Sequence, residues 1–232
     1  MKYWIGPMSK NVVDAVIEFD GNFGFIPSRR QVDYDGGYVN NWTSVEFAKY
    51  VGGRVPIERD HGGIGQGYEY DDGYISYAED SKCFDIIHVD PWKIFSDFDD
   101  GLKETINNIE FIYDSLGNMA NYDIKFEVGT EESIRRFEVE DLEKLLGGLE
   151  KKLYPPMFES IEYAVVQSGV GLDLGKQTNT GTFNSERLEK MVSVCKKFGK
   201  KSKEHNGDYL SSLEYKDRFD LGLDSINIAP EF

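Results

Sequence analysis

Eight short strand-like runs recur along the 232 residues, and the segments between them carry apolar residues at helical period. The runs are residues 2–7 (KYWIGP), 23–28 (FGFIPS), 54–60 (RVPIERD), 84–90 (FDIIHVD), 123–129 (DIKFEVG), 163–168 (YAVVQS), 201–206 (KSKEHN) and 225–232 (SINIAPEF). Val12, Val13, Val16, Ile17 and Phe19 follow the first run. Leu102, Ile106, Ile109, Ile112 and Leu116 follow the fourth, with Gly117 as the stop, and Leu188, Met191, Val192, Cys195 and Phe198 follow the sixth. Thr43 and Glu46 have the form of a capping box, and Gly52-Gly53 ends the helix it opens. Between residues 68 and 82 the period is weak and only a short helix is expected. Strand and helix in alternation predict a parallel sheet wound by right-handed crossovers, and eight strands are the number that closes a (β/α)8 TIM barrel.

The competing open, doubly wound sheet calls for a glycine fingerprint after its first strand. Gly6-Pro7-Met8-Ser9 offers none there, and Gly169, Gly171 and Gly175 have the wrong spacing for one. With no proline-rich linker between the runs, the reading is one TIM-barrel domain over 1–232. The last run reaches the final residue, so the barrel is expected to lack its closing helix. An apolar strip on that flank would then favour a homo-oligomer or a partner subunit as cover.

A formal net charge of −16 opposes binding to nucleic acid or anionic membranes, and the one basic cluster, residues 196–203, complements a helix C-terminus. Cys83 and Cys195 form no disulfide framework, and no apolar run spans a membrane, so a cytoplasmic protein is expected.

Active sites of such barrels are built at the C-terminal ends of the strands. There the chain places Arg29-Arg30-Gln31, Asp60-His61, His88 and Asp90, Glu127 and Glu131, Gln167, His205-Asn206 and Asn227; all three histidines of the sequence are among them. Imidazoles from different strands beside carboxylates suit a divalent ion, zinc first. Near a sugar ketone such an ion acts as a Lewis acid while an enediolate forms. Adjacent residues on a strand face opposite sides, so one of Arg29 and Arg30 faces the mouth and suits a phosphate or carboxylate. The glycine-rich stretch at 62–67 and Asn206-Gly207 have the composition of anion nests, although glycine loops are more often only turns.

Six motifs, RQVDYDGGY (30–38), RDHGG (59–63), IIHVD (86–90), EVGTE (127–131), VVQSGV (165–170) and EHNGDY (204–209), stand in the order and strand positions of one family. In them the chain resembles the tagatose-bisphosphate aldolase non-catalytic subunit, a relative of class II, zinc-dependent ketose-bisphosphate aldolases. The resemblance implies a sugar or sugar phosphate as ligand. It matches His61 and His205 to metal-ligand positions and Asp60 to the residue that handles the proton. Glu127 joins Asp60 as the second catalytic carboxylate. The substrate-binding set is Arg29, Gln31, Gly37, Tyr38, His88, Asp90, Glu131, Gln167 and Asn206. One departure bears on the chemistry: catalytic class II aldolases carry a metal-binding histidine at the end of strand six, where this chain has Gln167. Two readings follow. One is an enzyme performing metal-assisted aldol cleavage, or epimerisation, of a sugar phosphate; the other is a non-catalytic barrel that stabilises a partner aldolase.

Overall fold

The computed structural model describes residues 2–19, 21–116, 123–173 and 175–229, without the side chain of Leu116. Gly117, expected as a helix stop, and residues 230–232 of the last run lie outside the described residues.

Eight parallel strands form one sheet: β1 (Lys2–Ile5), β2 (Phe23–Phe25), β3 (Glu58–Gly62), β4 (Ile86–Val89), β5 (Lys125–Val128), β6 (Ile161–Val166), β9 (Lys201–Glu204) and β10 (Ser225–Ile228). Their order is β2-β1-β10-β9-β6-β5-β4-β3. Isolated parallel bridges Phe25↔Ile57 and Ser28↔Asp60 bring the two edges together, giving the nearly closed barrel that the alternation predicts. The helices are α1 (Lys10–Glu18), α2 (Ser44–Val51), α3 (Tyr74–Asp80), α4 (Phe98–Leu116), α5 (Val139–Lys152), α6 (Pro155–Glu159), α7 (Ser185–Lys197) and α8 (Ser212–Asp220). The capping box of α2 is made in both directions, and Gly52 closes the helix in the left-handed region at φ 63°.

Two inserted features carry no period in the sequence. One is the short α6; the other is an antiparallel hairpin, β7 (Val170–Asp173) with β8 (Thr178–Gly181), between β6 and α7. The third strand is displaced from 54–60 to Glu58–Gly62, so that His61 lies within it.

Side chains alternate across the sheet. Ile87, Val89, Phe126, Val128, Ala164 and Val166 face outward into the main core beneath α4, α5 and α7. Phe25 and Ile57 join Val13, Phe47 and Val51 in a second outer cluster. The inward face holds few apolar residues: Trp4, Ile26, Ile86 and Tyr163 form a small cluster of their own. Above it the interior is charged. Lys203 of β9, fully buried, lies 2.5 Å from Glu58 of β3 and 2.9 Å from Glu127 of β5. That is why the seventh strand reads as polar: its inward Lys203 is a buried ion, and outward Glu204 pairs at 2.8 Å with buried Arg218 of α8. On the outer flank, Val12 and Val16 of α1 and Phe19 at its C-cap, with Ile5, Phe23 and Ile228, border an apolar groove of about 370 Å³. No helix among the described residues is long and apolar enough to cross a membrane.

Candidate metal centre

At the C-terminal mouth of the barrel lies a cleft of about 420 Å³ whose lining includes Arg30, Gln31, Tyr38, Asp60, His61, Glu131, His205, Asn206, Asp208 and Asn227. Asp60 and His61 are neighbours on β3, and regular pleating would send them to opposite faces. The register against β4 slips between Arg59 and Gly62, and His61 takes φ 45°. Such a bulge re-aims a side chain, and here it lets both residues face the mouth. Gly62 permits the approach: a Cβ there would stand 2.6 Å from the Tyr77 ring and 2.8 Å from the His88 carbonyl oxygen.

The rings of His61, His88 and His205 form a triangle, with centroids 5.0 to 5.1 Å apart. Carboxylates stand behind two of them. Asp90, fully buried, holds His61 Nδ1 at 2.6 Å, which leaves Nε2 facing the cleft, 3.6 Å from Asp60 Oδ1 and 3.9 Å from Glu131 Oε2. Glu127 holds His205 Nε2 at 3.1 Å, which leaves Nδ1 at 3.9 Å from Asp60 Oδ1 and 4.0 Å from Glu131 Oε2. A carboxylate on the far nitrogen fixes ring orientation and raises the basicity of the near one, the usual support of a metal-ligating histidine.

The charge balance favours a cation. Burial opposes a proton on His61, but Asp60, Asp90 and Glu131 outweigh it and raise its pKa to about 10. Burial raises Glu131, while His61 and His205 pull it back only in part. Glu127 is raised by burial but held well below the usual range by Lys203. Burial lowers His88 to about 4, keeping its ring neutral.

One ligand atom from each of Asp60, His61, His88 and His205 lies within 4.8 Å of all the others. Asp60 Oδ1 is buried and has no hydrogen-bond partner among the described residues. A buried carboxylate oxygen left without a donor among imidazole nitrogens is costly unless a cation completes it. The nitrogen-rich donor set with one carboxylate is of the type zinc accepts. The residues therefore fit a divalent ion.

The sequence-derived set divides in space. Asp60, His61, His205, Glu131, Gln31, Tyr38 and Asn206 line the cleft. Asp90, Glu127 and His88 stand behind it, at 0 to 1% exposure. Three expectations are corrected. Arg29 is buried and saturated by Asp33, Asp71 and the Gly63 carbonyl, so Arg30 is the arginine that faces the cleft. Gln167 is consumed by the scaffold: its Nε2 donates to the Thr130 and Arg135 carbonyls, and its Oε1 accepts from Phe137 N–H and Arg187. Gly37 packs against the chain at Gln31, whose carbonyl oxygen a Cβ would meet at 2.1 Å, instead of bordering the cleft. In the glycine-rich stretches two amides are engaged by the scaffold: Gly65 N–H donates to the Asp71 carbonyl and Gly207 N–H to the Asn227 carbonyl.

Reasoning from strand ends passed over Asp208. It also left Asn227 without a role, although Asn227 is 4% exposed, lines the cleft and has no hydrogen-bond partner for either amide atom among the described residues. Its position at the end of β10 was the available signal.

No family model and no curated protein matches the chain. Solved structures do. A probable tagatose 6 phosphate kinase from Sinorhizobium meliloti 1021 superposes with a TM-score of 0.75 at 16% identity, covering 98% of this chain and 64% of that one. The YdjI aldolase from Escherichia coli K12 superposes at 0.64 with 15% identity, covering 98% and 75%. At these identities the likeness is one of fold, a TIM barrel, and the chain spans about 64% of the length of the first.

Proposed function

We propose that the protein is a metal-dependent enzyme of the class II aldolase type. It cleaves the bond between the α and β carbons of a sugar phosphate, or epimerises the α carbon, through the same enediolate. In cleavage the β-hydroxyl gives up its proton as that carbon leaves as an aldehyde, and the enediolate takes a proton at the α carbon. One observation carries the reading: the lone buried oxygen of Asp60 among three imidazoles, at the floor of a polar cleft in an aldolase-like barrel.

His61 and His205 hold the ion, zinc by the nature of the donors. Bound there, it supplies Lewis acidity to a carbonyl oxygen. Asp60 moves the proton on the adjacent carbon, from a position open to the cleft and 3.6 Å from His61 Nε2. Glu127 keeps His205 in register, and Asp90 does the same for His61. Gln31, Tyr38, Asn206 and Asn227 supply polar groups for sugar hydroxyls, and Arg30 a charge for the phosphate. Arg30 is exposed and has no side-chain partner among the described residues, in a chain of 42 acidic residues.

The test is metal analysis of the dialysed protein together with turnover of ketose and ketose-phosphate substrates by wild type and Asp60→Ala. Stoichiometric zinc with turnover, and a loss of roughly 10²-fold or more in a folded Asp60→Ala, is the expected result. Wild-type rates in that variant would remove Asp60 from the chemistry.

The apolar groove beside α1 favours a second reading, a barrel that works against another protein surface, as a homo-oligomer or as the non-catalytic partner of an aldolase subunit. Sedimentation across a concentration series, with and without an aldolase subunit, tests it: a monomer throughout would remove it. Free Cys83 and Cys195 support a reducing, cytoplasmic setting for either reading.

A further inference from the structure

The cleft holds two histidines whose outer nitrogens are anchored on carboxylates, and a third ring completes the triangle from β4. We propose that this ring, His88, is a direct ligand, so that the centre is a three-imidazole site drawn from β3, β4 and β9. The proposal rests on reading the cleft as a metal centre and deepens it by assigning the ligand set.

Three observations carry it. The first is the repeated construction. His61 and His205 each place the outer nitrogen on an acceptor and leave the inner one toward Asp60. His88 is built alike: its Nε2 lies 3.1 Å from the Gly129 carbonyl oxygen. A carbonyl can only accept, so Nε2 carries the hydrogen and Nδ1 keeps its lone pair. That lone pair meets the main-chain N–H of His61 at 3.3 Å, long for such a bond and hence readily given up.

The second observation is convergence. The centroid of His88 is 5.0 Å from each of the other two rings, and its ligand atom falls within the 4.8 Å group that includes Asp60. A buried histidine placed only to fill the barrel has no reason to share that focus.

The third is that the alternative position is closed. Directly after β6 stands Gln167, and both its amide atoms are engaged by main chain of the 130–137 segment and by Arg187. Gln167 therefore offers no free ligand atom, and His88 is the one histidine of the sequence left beside His61 and His205.

Zinc alone is the probe. X-ray absorption of the zinc-loaded wild-type chain should give three imidazoles at about 2.0–2.1 Å. Competition with a chelator should show zinc binding weakened by more than ~10²-fold in His88→Asn, beyond the ~10–100-fold that follows loss of a residue that only orients a ligand. Asparagine places an amide oxygen near the Nδ1 position and can still accept from the His61 N–H, and circular dichroism checks the fold. Two imidazoles in the wild-type spectrum, or unchanged affinity in a folded His88→Asn, would overturn the assignment while leaving the metal reading intact. A wild-type chain that takes up no zinc would overturn both. The absorption measurement needs no variant, so a misfolded His88→Asn leaves the question decidable.

Discussion

Replacing Lys203 by methionine should cost about 4 kcal/mol of stability at pH 7 and much less at pH 5. Lys203 lies 2.5 Å from Glu58 and 2.9 Å from Glu127, with all three side chains at most 1% exposed. At an effective dielectric near 20 each contact is worth ~6 kcal/mol of attraction, offset by several kcal/mol of desolvation per ion. One ammonium cannot neutralise two carboxylates. Burial and the neighbouring Glu127 raise Glu58 well above the usual range, whereas Lys203 holds Glu127 well below it against the effect of burial. Without Lys203, Glu127 must be protonated in the folded state. Taking up that proton at pH 7 against an unfolded pKa of ~4.3 costs ~3.7 kcal/mol, and at pH 5 ~1 kcal/mol. The sign follows: in the variant the folded pKa of Glu127 lies above the unfolded one. Its stability is therefore intact below pH ~4.3 and falls by ~1.4 kcal/mol per unit as pH rises toward the folded pKa. Urea unfolding followed by circular dichroism at pH 5 and pH 7.5 reads both values. Adding Glu127→Gln to Lys203→Met should flatten the slope. A penalty below ~1 kcal/mol at pH 7.5, or one independent of pH, would refute the reasoning.

Arg29→Ala should lose about 3–5 kcal/mol, because it strands buried Asp33, whereas Arg30→Ala should unfold like wild type. If Arg30 meets a phosphate, its removal should raise KM for phosphorylated substrates ~10–100-fold, as expected for a lost charged hydrogen bond, and saturation kinetics decide this. Gln167→Ala should cost several kcal/mol by stranding Phe137 N–H and the Thr130 carbonyl, yet leave zinc stoichiometry unchanged; metal analysis of the folded fraction checks it. Burial lifts Asp208 to about 6, although Ala229 N–H donates to it. Its contribution therefore favours the fold below pH ~3.9 and is lost as pH rises through about 6. Asp208→Asn should be stabilising by ~2 kcal/mol at pH 8 and by far less at pH 4, measured by denaturant titration.

The strands and helices of the barrel were legible because burial imposes period, and residues such as Ile87 and Val89 or Leu142, Leu145, Leu146 and Leu149 repeat at the spacing their element needs. The strand-end rule likewise brought His61, His88 and His205 to one place. What failed depended on partners distant in sequence. Gln167 is engaged by Phe137, 30 residues away, and nothing next to it announces this. Strand alternation was applied to Arg29 and Arg30, but these residues lie in a turn closed by Gln31 N–H and Val32 N–H onto the Ser28 carbonyl, where a two-residue period does not hold. Gly169, at φ 91°, leads into β7 and Gly171 lies within it, roles that spacing alone could not separate from a broken fingerprint.

The charged interior and the exposed chemistry are one arrangement. A barrel filled with aliphatic layers would offer no acceptor behind the imidazoles, and their rings would be free to turn. Here Trp4 and Tyr163 form an aromatic floor, with Lys203 Nζ 4.5 Å and 5.2 Å from their ring centroids. The ammonium above that floor keeps Glu127 ionised, and an ionised Glu127 can only accept, so His205 must carry hydrogen on Nε2 and present Nδ1 to the cleft. The tautomer at the mouth is thus set three residues deep. A methionine at 203 should therefore weaken zinc binding even where acid pH restores the fold, since a protonated Glu127 no longer dictates which nitrogen of His205 is bare. Zinc affinity that tracked stability alone across Lys203→Met, Glu58→Gln and Glu127→Gln would show the chain of contacts to be packing and nothing more.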